Sequence, residues 1–238
     1  MKIHYYIDWF IDTMPEQVAE LLRNDIPDRK SLVLISALPS DYEKSGEEFD
    51  TVIKAKWLDP ACIIFDEYHL IDYRTAKEEA HKLLKSASAI FLLGGHPAYQ
   101  NVFMAEYDLS SAIMESNAHV IMGFSAGTMN MSAHWVSFKR MEEHSNGKIK
   151  AGTVYDGLNL DNFAVKVHYE PDNADPFEDE LLGLSRKMDV YVMCYESVIR
   201  SKNGKLDIMG DVYLISDSKI RKVEETDFAI DEVMKELL

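Results

Sequence analysis

The chain has 238 residues, enough for one large domain or two small ones, and 47% of them are hydrophobic. Its 41 acidic residues outnumber 25 basic ones and give a net charge of −16, which repels nucleic-acid phosphates. No apolar window approaches the roughly 18 residues of a membrane span, and no signal peptide is recognisable. We therefore expect a cytoplasmic protein that has neither nucleic acid nor a membrane as a partner.

Buried-strand and amphipathic-helix patterns alternate from the first residue. Helix 13–22 is expected to open with a capping box formed by Thr13 and Glu16. This alternation predicts a mostly parallel sheet with helices on both faces. The predicted strands are 3–7, 31–37, 61–65, 89–93 and 119–122, and the predicted helices are 13–22, 41–57, 72–85 and 97–116.

Short β-like segments predominate after about Gly152, and Asn203-Gly204 predicts a hairpin turn among them. A last amphipathic helix is expected at 226–238. No repeat, low-complexity tract or linker divides the chain. We therefore expect a single domain, 1–238, of α/β class. The short predicted strands are 163–167, 190–195, 205–209 and 212–215.

The strongest functional motif is Gly123-Phe124-Ser125-Ala126-Gly127, which lies directly after a predicted strand and directly before a predicted helix. A serine at the tip of such a turn adopts a strained backbone and needs small neighbours. The N–H of Ala126 can then face a developing oxyanion. The pattern predicts a nucleophilic Ser125; a tight turn chosen only for packing is the alternative.

A second glycine pair, Gly94-Gly95, ends the preceding predicted strand and is followed by His96. Ligands bind at the carboxyl edge of open α/β sheets, where Ser125 is also expected. Small residues there would let a main-chain N–H face the reaction centre and complete an oxyanion hole. The alternative is an ordinary strand-to-helix turn.

A nucleophilic serine needs a base, usually a histidine held by a carboxylate. Two histidines remain as candidates: His168, directly after a predicted strand, and His96, beside the glycine pair; His168 is preferred. Glu196 follows the apolar run 190–195, where a charge needs a partner. It is the preferred carboxylate, and an exposed hairpin residue is the alternative reading.

Together these motifs resemble the serine peptidase family of aspartyl dipeptidase (peptidase E) and cyanophycinase. The resemblance rests on Gly94-Gly95, the Gly-x-Ser-Ala-Gly turn, His168-Tyr169 and Glu196. It implies a three-layer sandwich similar to class I glutamine amidotransferases, with serine in place of the cysteine nucleophile.

The resemblance also implies site roles. Ser125, His168 and Glu196 would form the triad, and the N–H groups of Gly95 and Ala126 the oxyanion hole. Gly94, His96 and Tyr169 would line the substrate site. It implies amide hydrolysis without a metal or organic cofactor on a small peptide substrate, with a homodimer left open as the assembly.

Two differences from the family pattern bear on specificity. His96 stands where members carry Asn or Asp, and the stretch 169–180 holds six carboxylates but no arginine to grip an aspartyl side chain. An aspartyl preference is therefore not expected, and a preference for cationic substrates is one hypothesis for this acidic stretch. A serine hydrolase of esters or non-peptide amides, and a non-catalytic binding protein, are the alternative functions.

Overall fold

The computed structural model describes residues 2–144, 149–171 and 179–226. The predicted helix 226–238 and most of the acidic stretch 169–180 lie outside the described residues. The described strands, in chain order, are β1 (Ile3–Ile7), β2 (Ser31–Ala37), β3 (Glu67–Ile71), β4 (Ala89–Gly95), β5 (Val120–Phe124), β6 (His134–Val136), β7 (Val154–Asp156), β8 (Ala164–Lys166), β9 (Val190–Met193), β10 (Val198–Lys202), β11 (Lys205–Met209), β12 (Val212–Ser216) and β13 (Lys219–Lys222).

Seven of these strands form a central sheet in the order β11-β10-β1-β5-β4-β2-β3. The five strands from β1 to β3 run parallel, whereas β10 and β11 are antiparallel at one edge. Asn203 and Gly204 join β10 to β11 with φ values of 57° and 75°, as a two-residue hairpin turn requires. The predicted mostly parallel sheet and this hairpin are confirmed.

Helices cover both faces of the central sheet. The described helices are α1 (Glu16–Asp25), α2 (Tyr42–Glu48), a π-helix (Phe49–Leu58), α3 (Lys77–Ser86), α4 (Pro97–Glu106), α5 (Leu109–Glu115), α6 (Ala126–Met131), α7 (Lys139–His144) and α8 (Asp179–Leu184).

Alternation along each strand sends neighbouring side chains into two different cores. Tyr5 and Ile7 of β1 pack with α1 and the π-helix, whereas Tyr6 between them packs with α3, α4, α5 and α6. Strand β2 divides in the same way, since Leu32 and Leu34 enter the first core while Val33 enters the second. The predicted three-layer α/β arrangement is therefore confirmed.

A smaller four-stranded sheet, in the order β13-β12-β9-β8, lies beside this sandwich. Its own core joins Val190 and Val192 of β9 to Leu181 and Leu184 of α8. The pairing of β8 with β9 is parallel. His168 lies two residues after the end of β8, so this smaller sheet determines where that histidine lies.

Three predicted elements were wrong. The run 61–65 forms turns rather than a strand, because Cys62 has φ 55° and the apolar Ala61, Ile63 and Phe65 enter the core from loop conformation. The predicted helix 97–116 is two helices, since Asp108 between them is left-handed with φ 52°. Helix α1 begins after Pro15 without a side-chain cap, so the predicted capping box is absent from this described segment.

No helix in the described ranges combines the length and apolar character needed to cross a membrane.

Candidate active site

Ser125 occupies a strained turn between β5 and α6. Its φ of 49° and ψ of −111° lie outside the regions that residues other than glycine normally adopt. The Ser125 amide donates hydrogen bonds to the carbonyls of Ile7 and Asp8, both at 3.1 Å. These bonds hold the turn against the end of β1 and leave the serine side chain partly exposed.

The glycines on either side of Ser125 are required by close backbone contacts. A Cβ on Gly123 would come within 2.7 Å of the Gly127 carbonyl carbon, and one on Gly127 within 2.1 Å of the Leu92 carbonyl oxygen. Helix α6 can therefore lie directly against β4 only because both positions lack side chains. Thr128 adds to this, since its hydroxyl binds the main chain of Ile7 and Gly123.

His168 meets Ser125 in hydrogen-bonding geometry. Its Nε2 lies 2.7 Å from the Ser125 Oγ. The residue has φ 58°, so the chain turns sharply just after β8 and directs the imidazole toward the carboxyl edge of the central sheet. The side chain is 30% exposed, which leaves room for an incoming substrate beside it. Ser125 and His168, both predicted from the sequence, are thus brought together.

The other ring nitrogen of His168 is hydrogen-bonded to a carboxylate that was not predicted from the sequence. Asp8 Oδ2 accepts from His168 Nδ1 at 3.1 Å, and Asp8 Oδ1 accepts from the His168 backbone N–H at 2.6 Å. Asp8 is fully buried. A buried carboxylate is stable only when hydrogen-bonded, and here both oxygens are held by the same histidine. Because a carboxylate cannot donate, this contact fixes the proton on Nδ1 and leaves Nε2 as an acceptor for the serine hydroxyl.

Glu196 does not hold the position expected for it. The residue lies in the exposed turn between β9 and β10 with φ 63°. Its Oε1 accepts from the Ile11 N–H at 3.1 Å, and its own N–H donates to the Trp9 carbonyl at 2.8 Å. The predicted pairing of Glu196 with His168 is therefore corrected: the Nδ1 partner is Asp8, and Glu196 connects its turn to the loop after β1.

The position of Asp8 could be recognised only from the strand order. It directly follows β1, and β1 lies next to β5 with Ile7 opposite Phe124. Asp8 therefore stands level with Ser125, although 117 positions of sequence numbering separate 8 from 125. The available signal was an acidic residue immediately after a buried strand, at the sheet edge where ligands bind.

The predicted oxyanion residues lie at the same edge. Gly95 ends β4 with φ 124°, a conformation that favours glycine. A Cβ on Gly94 would lie 2.3 Å from the Phe124 ring, so glycine is also needed there. By register, Leu92 pairs with Gly123, and the Gly94-Gly95 pair therefore passes beside the Ser125 turn.

The other two expected substrate residues have aromatic neighbours. His96 stacks on Tyr99 with ring centroids 4.0 Å apart, and the Tyr169 ring contacts Tyr213 at 5.5 Å. A further aromatic side chain, Tyr195, stacks on His168 itself at 5.4 Å and is 41% exposed. Tyr195 was not predicted as a site residue and forms one wall beside the imidazole.

Within the described ranges, no group of three or more His, Cys, Asp or Glu side chains is arranged to hold a metal ion. The arrangement around Ser125 is instead that of an activated hydroxyl. One ring nitrogen of His168 can accept the hydroxyl proton, and a buried carboxylate binds the other ring nitrogen.

Comparison with known proteins agrees with this reading. The sequence model of peptidase family S51 matches residues 59–209. No curated protein matches the chain.

Two solved structures share the fold. A peptidase from an acI-B1 Actinobacterium superposes with a TM-score of 0.69 at 18% identity, over 95% of this chain and 96% of that one. A candidate peptidase E protein from Listeria monocytogenes EGD-e superposes with a TM-score of 0.58 at 17% identity, over 88% of this chain and 98% of that one. At these identities the two structures establish the fold alone, which is the peptidase E-like fold expected from the sequence.

Proposed function

The chain belongs to peptidase family S51 and is a serine-type peptidase, and we propose that it cleaves the amide bond of small peptides through an acyl-enzyme on Ser125. The single observation that carries this proposal is the continuous hydrogen-bonded series from Ser125 Oγ through His168 to the buried Asp8. A tight turn that served packing alone would need the glycines around Ser125, but it would not need these hydrogen bonds to His168 and Asp8.

The proposed acylation uses each member of the series once. His168 Nε2 takes the proton from Ser125 Oγ as the oxygen attacks the substrate carbonyl, and then gives that proton to the leaving amine. A water molecule then attacks the acyl-enzyme carbonyl while His168 Nε2 takes its proton. The ester bond to Ser125 Oγ breaks, His168 returns the proton to that oxygen, and the acid product leaves. Asp8 keeps the imidazole in the required tautomer and stabilises the imidazolium that forms in each step.

The tetrahedral intermediate needs donors for its oxyanion. We assign the N–H groups of Ala126 and Gly95 to this role, because Ala126 directly follows the nucleophile and Gly95 ends the neighbouring strand. The positive φ of Gly95 supports the assignment, since it turns the main chain at the level of Ser125. Removing one such donor typically slows catalysis about 10²–10³-fold.

Labelling with a small fluorophosphonate tests the proposal, because the probe reacts only with an activated serine. We expect covalent labelling of the wild-type protein and no labelling of Ser125→Ala. The labelling rate of His168→Ala should be much lower than that of the wild-type protein. His69→Ala is the matched control, since His69 pairs with Glu67 on β3 rather than with the serine.

Two results would contradict the assignment. A folded wild-type protein that is not labelled would argue against an activated serine. Labelling that survives His168→Ala and disappears in His96→Ala would mean that His96 is the base.

A further inference from the structure

A cavity of about 880 Å³ is lined by residues that follow β2 and by residues of α4, the helix that begins shortly after the glycine pair. Four tyrosines line it: Tyr42, Tyr73, Tyr99 and Tyr155. Leu38 and Val102 contribute aliphatic wall. A cavity of this volume falls within the range that binds small organic ligands.

The cavity approaches the glycine pair of the active site through Leu38. Its wall residue Leu38 follows β2, and a Cβ on Gly95 would be only 3.3 Å from the Leu38 Cγ. Since β2 pairs with β4 and β4 pairs with β5, Leu38 is two strand spacings from the serine turn. Neighbouring strands lie roughly 4.8 Å apart, which places the near wall about 10 Å from Ser125. That separation matches the reach of a side chain on a residue next to the scissile bond.

Neighbouring rings hold the aromatic walls in place. Tyr99 stacks on His96 with an interplanar angle of 16°, and Tyr155 stacks on Trp135 at 10°. Tyr73 packs edge-on against Phe103 at 4.8 Å, and its hydroxyl donates to a Glu106 carboxylate. Walls that are already ordered lose little conformational entropy when a ligand binds.

The lining also leaves unusual apolar surface in contact with water. Tyr42, Tyr99 and Val102 are 38%, 40% and 52% exposed, although large apolar side chains of this kind gain by burial. Exposed apolar surface gathered in a concave site marks a binding site rather than a random surface. An occupant that covers Tyr42, Tyr99 and Val102 needs apolar or aromatic surface, although the polar residues Ser40, Asp41 and Glu43 also line the cavity.

We propose that this cavity is a specificity pocket that takes a large aromatic side chain of the peptide, on a residue adjoining the scissile bond. The inference rests on the proposed peptidase function and names its substrate class. It also accounts for His96 after the glycine pair, because its ring stacks on Tyr99, which lines the cavity.

Dipeptide hydrolysis tests the pocket. The substrates are Phe-Ala, Ala-Phe and Ala-Ala, measured as kcat/KM for release of free amine. We expect one of the two phenylalanine dipeptides to exceed Ala-Ala by at least about tenfold, the discrimination that a buried apolar side chain provides. Equal kcat/KM values for the three dipeptides would overturn the proposal.

A pocket-filling variant makes the test specific to this cavity. Val102 lies on the same face of α4 as Ala98 and Tyr99, so Val102→Trp places its ring in the cavity. Met114→Trp is the matched control, because Met114 is similarly exposed, at 54%, on α5. The aromatic preference should disappear in Val102→Trp and persist in Met114→Trp; an equal response of the two variants would contradict the proposal.

Binding to Ser125→Ala separates the pocket from the chemistry. Calorimetry with the same three dipeptides on this variant should give the same order of affinities, again sensitive to Val102→Trp. A protein that is labelled by the fluorophosphonate but shows no aromatic preference in hydrolysis or in binding would overturn the pocket and leave the peptidase function standing. Aromatic binding in a protein that neither labels nor hydrolyses would overturn the function and retain the pocket.

Discussion

Asp8 accepts two hydrogen bonds from His168, one from the backbone N–H at 2.6 Å and one from Nδ1 at 3.1 Å. One carboxylate therefore fixes both the main chain and the imidazole of this histidine. Because Asp8 follows β1 and Ser125 follows the neighbouring β5, the carboxylate and the serine are held by adjacent parallel strands. The histidine comes from the smaller sheet and is positioned between them.

The close approach of α6 to β4 predicts a large effect of Gly127→Ala. The new Cβ would lie 2.1 Å from the Leu92 carbonyl oxygen, so the helix must move away from the sheet. We expect a loss of roughly 1–3 kcal/mol or more in the free energy of unfolding, as for overpacked cores. Urea denaturation followed by circular dichroism measures it.

Gly183→Ala is the control for that substitution. Gly183 lies within α8, and a Cβ there would meet no described atom within 4 Å. Alanine is favoured over glycine in a helix by roughly 0.5–1 kcal/mol, so this variant should be slightly more stable. A Gly127→Ala protein as stable as wild type would contradict the packing described for the serine turn.

Glu48, at the end of α2, should make stability depend on pH. Burial raises the pKa of its carboxyl from the ordinary value of 4.5 to about 7. Since the folded state favours the protonated acid, wild-type stability should fall as pH rises from about 4.5 to 7 and then level off. Glu48→Gln stays neutral and should gain up to about 1–3 kcal/mol over wild type at pH 8.

Thermal unfolding of both proteins at pH 4.5 and pH 8 measures this difference. Glu47→Gln is the matched control, because the side chain of Glu47 is exposed. A Glu48→Gln advantage that is the same at both pH values would contradict the raised pKa.

A buried ion network beside Tyr5, in the middle of β1, predicts a second pH dependence. Arg200 donates to Asp25 at 2.7 and 3.0 Å and to Asp207 at 2.6 Å. Burial raises the pKa of Asp25, but hydrogen bonds from Arg200, Tyr5 and Lys202 outweigh it and hold the pKa below its ordinary value. Arg200→Met leaves two carboxylates buried without this partner and should cost about 3–5 kcal/mol at pH 7.

The sign of the pH effect follows from the lowered pKa. A carboxyl with a depressed folded-state pKa stabilises the protein above its unfolded pKa, and this contribution is lost as pH falls through the folded value. The deficit of Arg200→Met should therefore shrink below about pH 4. Urea denaturation at pH 7 and pH 3.5 measures it, with Lys202→Met as a control that removes one partly exposed contact. A deficit that does not change with pH would contradict the network's role.

The sequence was sufficient for the residues whose roles are local. The glycines and strain around Ser125 depend on a few consecutive positions, and the alternation of buried strands identified most of the sheet. His168 was accessible because it directly follows a strand in a recognisable motif. These features depend on short-range geometry, which the order of residues determines.

The features that could not be predicted from the sequence depend on strand order and on packing between distant segments. Asp8 becomes relevant only because β1 inserts between β10 and β5, an arrangement set by the packing of the whole sheet. Glu196 followed an apolar run as Asp8 does, but its turn lies at the surface and its carboxylate serves Ile11. The aromatic cavity likewise combines residues from the segment after β2, from α4 and from β7 that no local pattern connects.

The rate of fluorophosphonate labelling in Asp8→Asn and Glu196→Gln, measured beside wild type, tests the Ser125–His168–Asp8 assignment most directly. Asparagine keeps an acceptor for the His168 backbone but favours the wrong imidazole tautomer, so labelling should slow about 10³–10⁴-fold. Glu196→Gln should label at nearly the wild-type rate, and thermal unfolding should verify that both variants fold. Normal labelling of folded Asp8→Asn together with its loss in Glu196→Gln would contradict the assignment and restore Glu196 as the orienting acid.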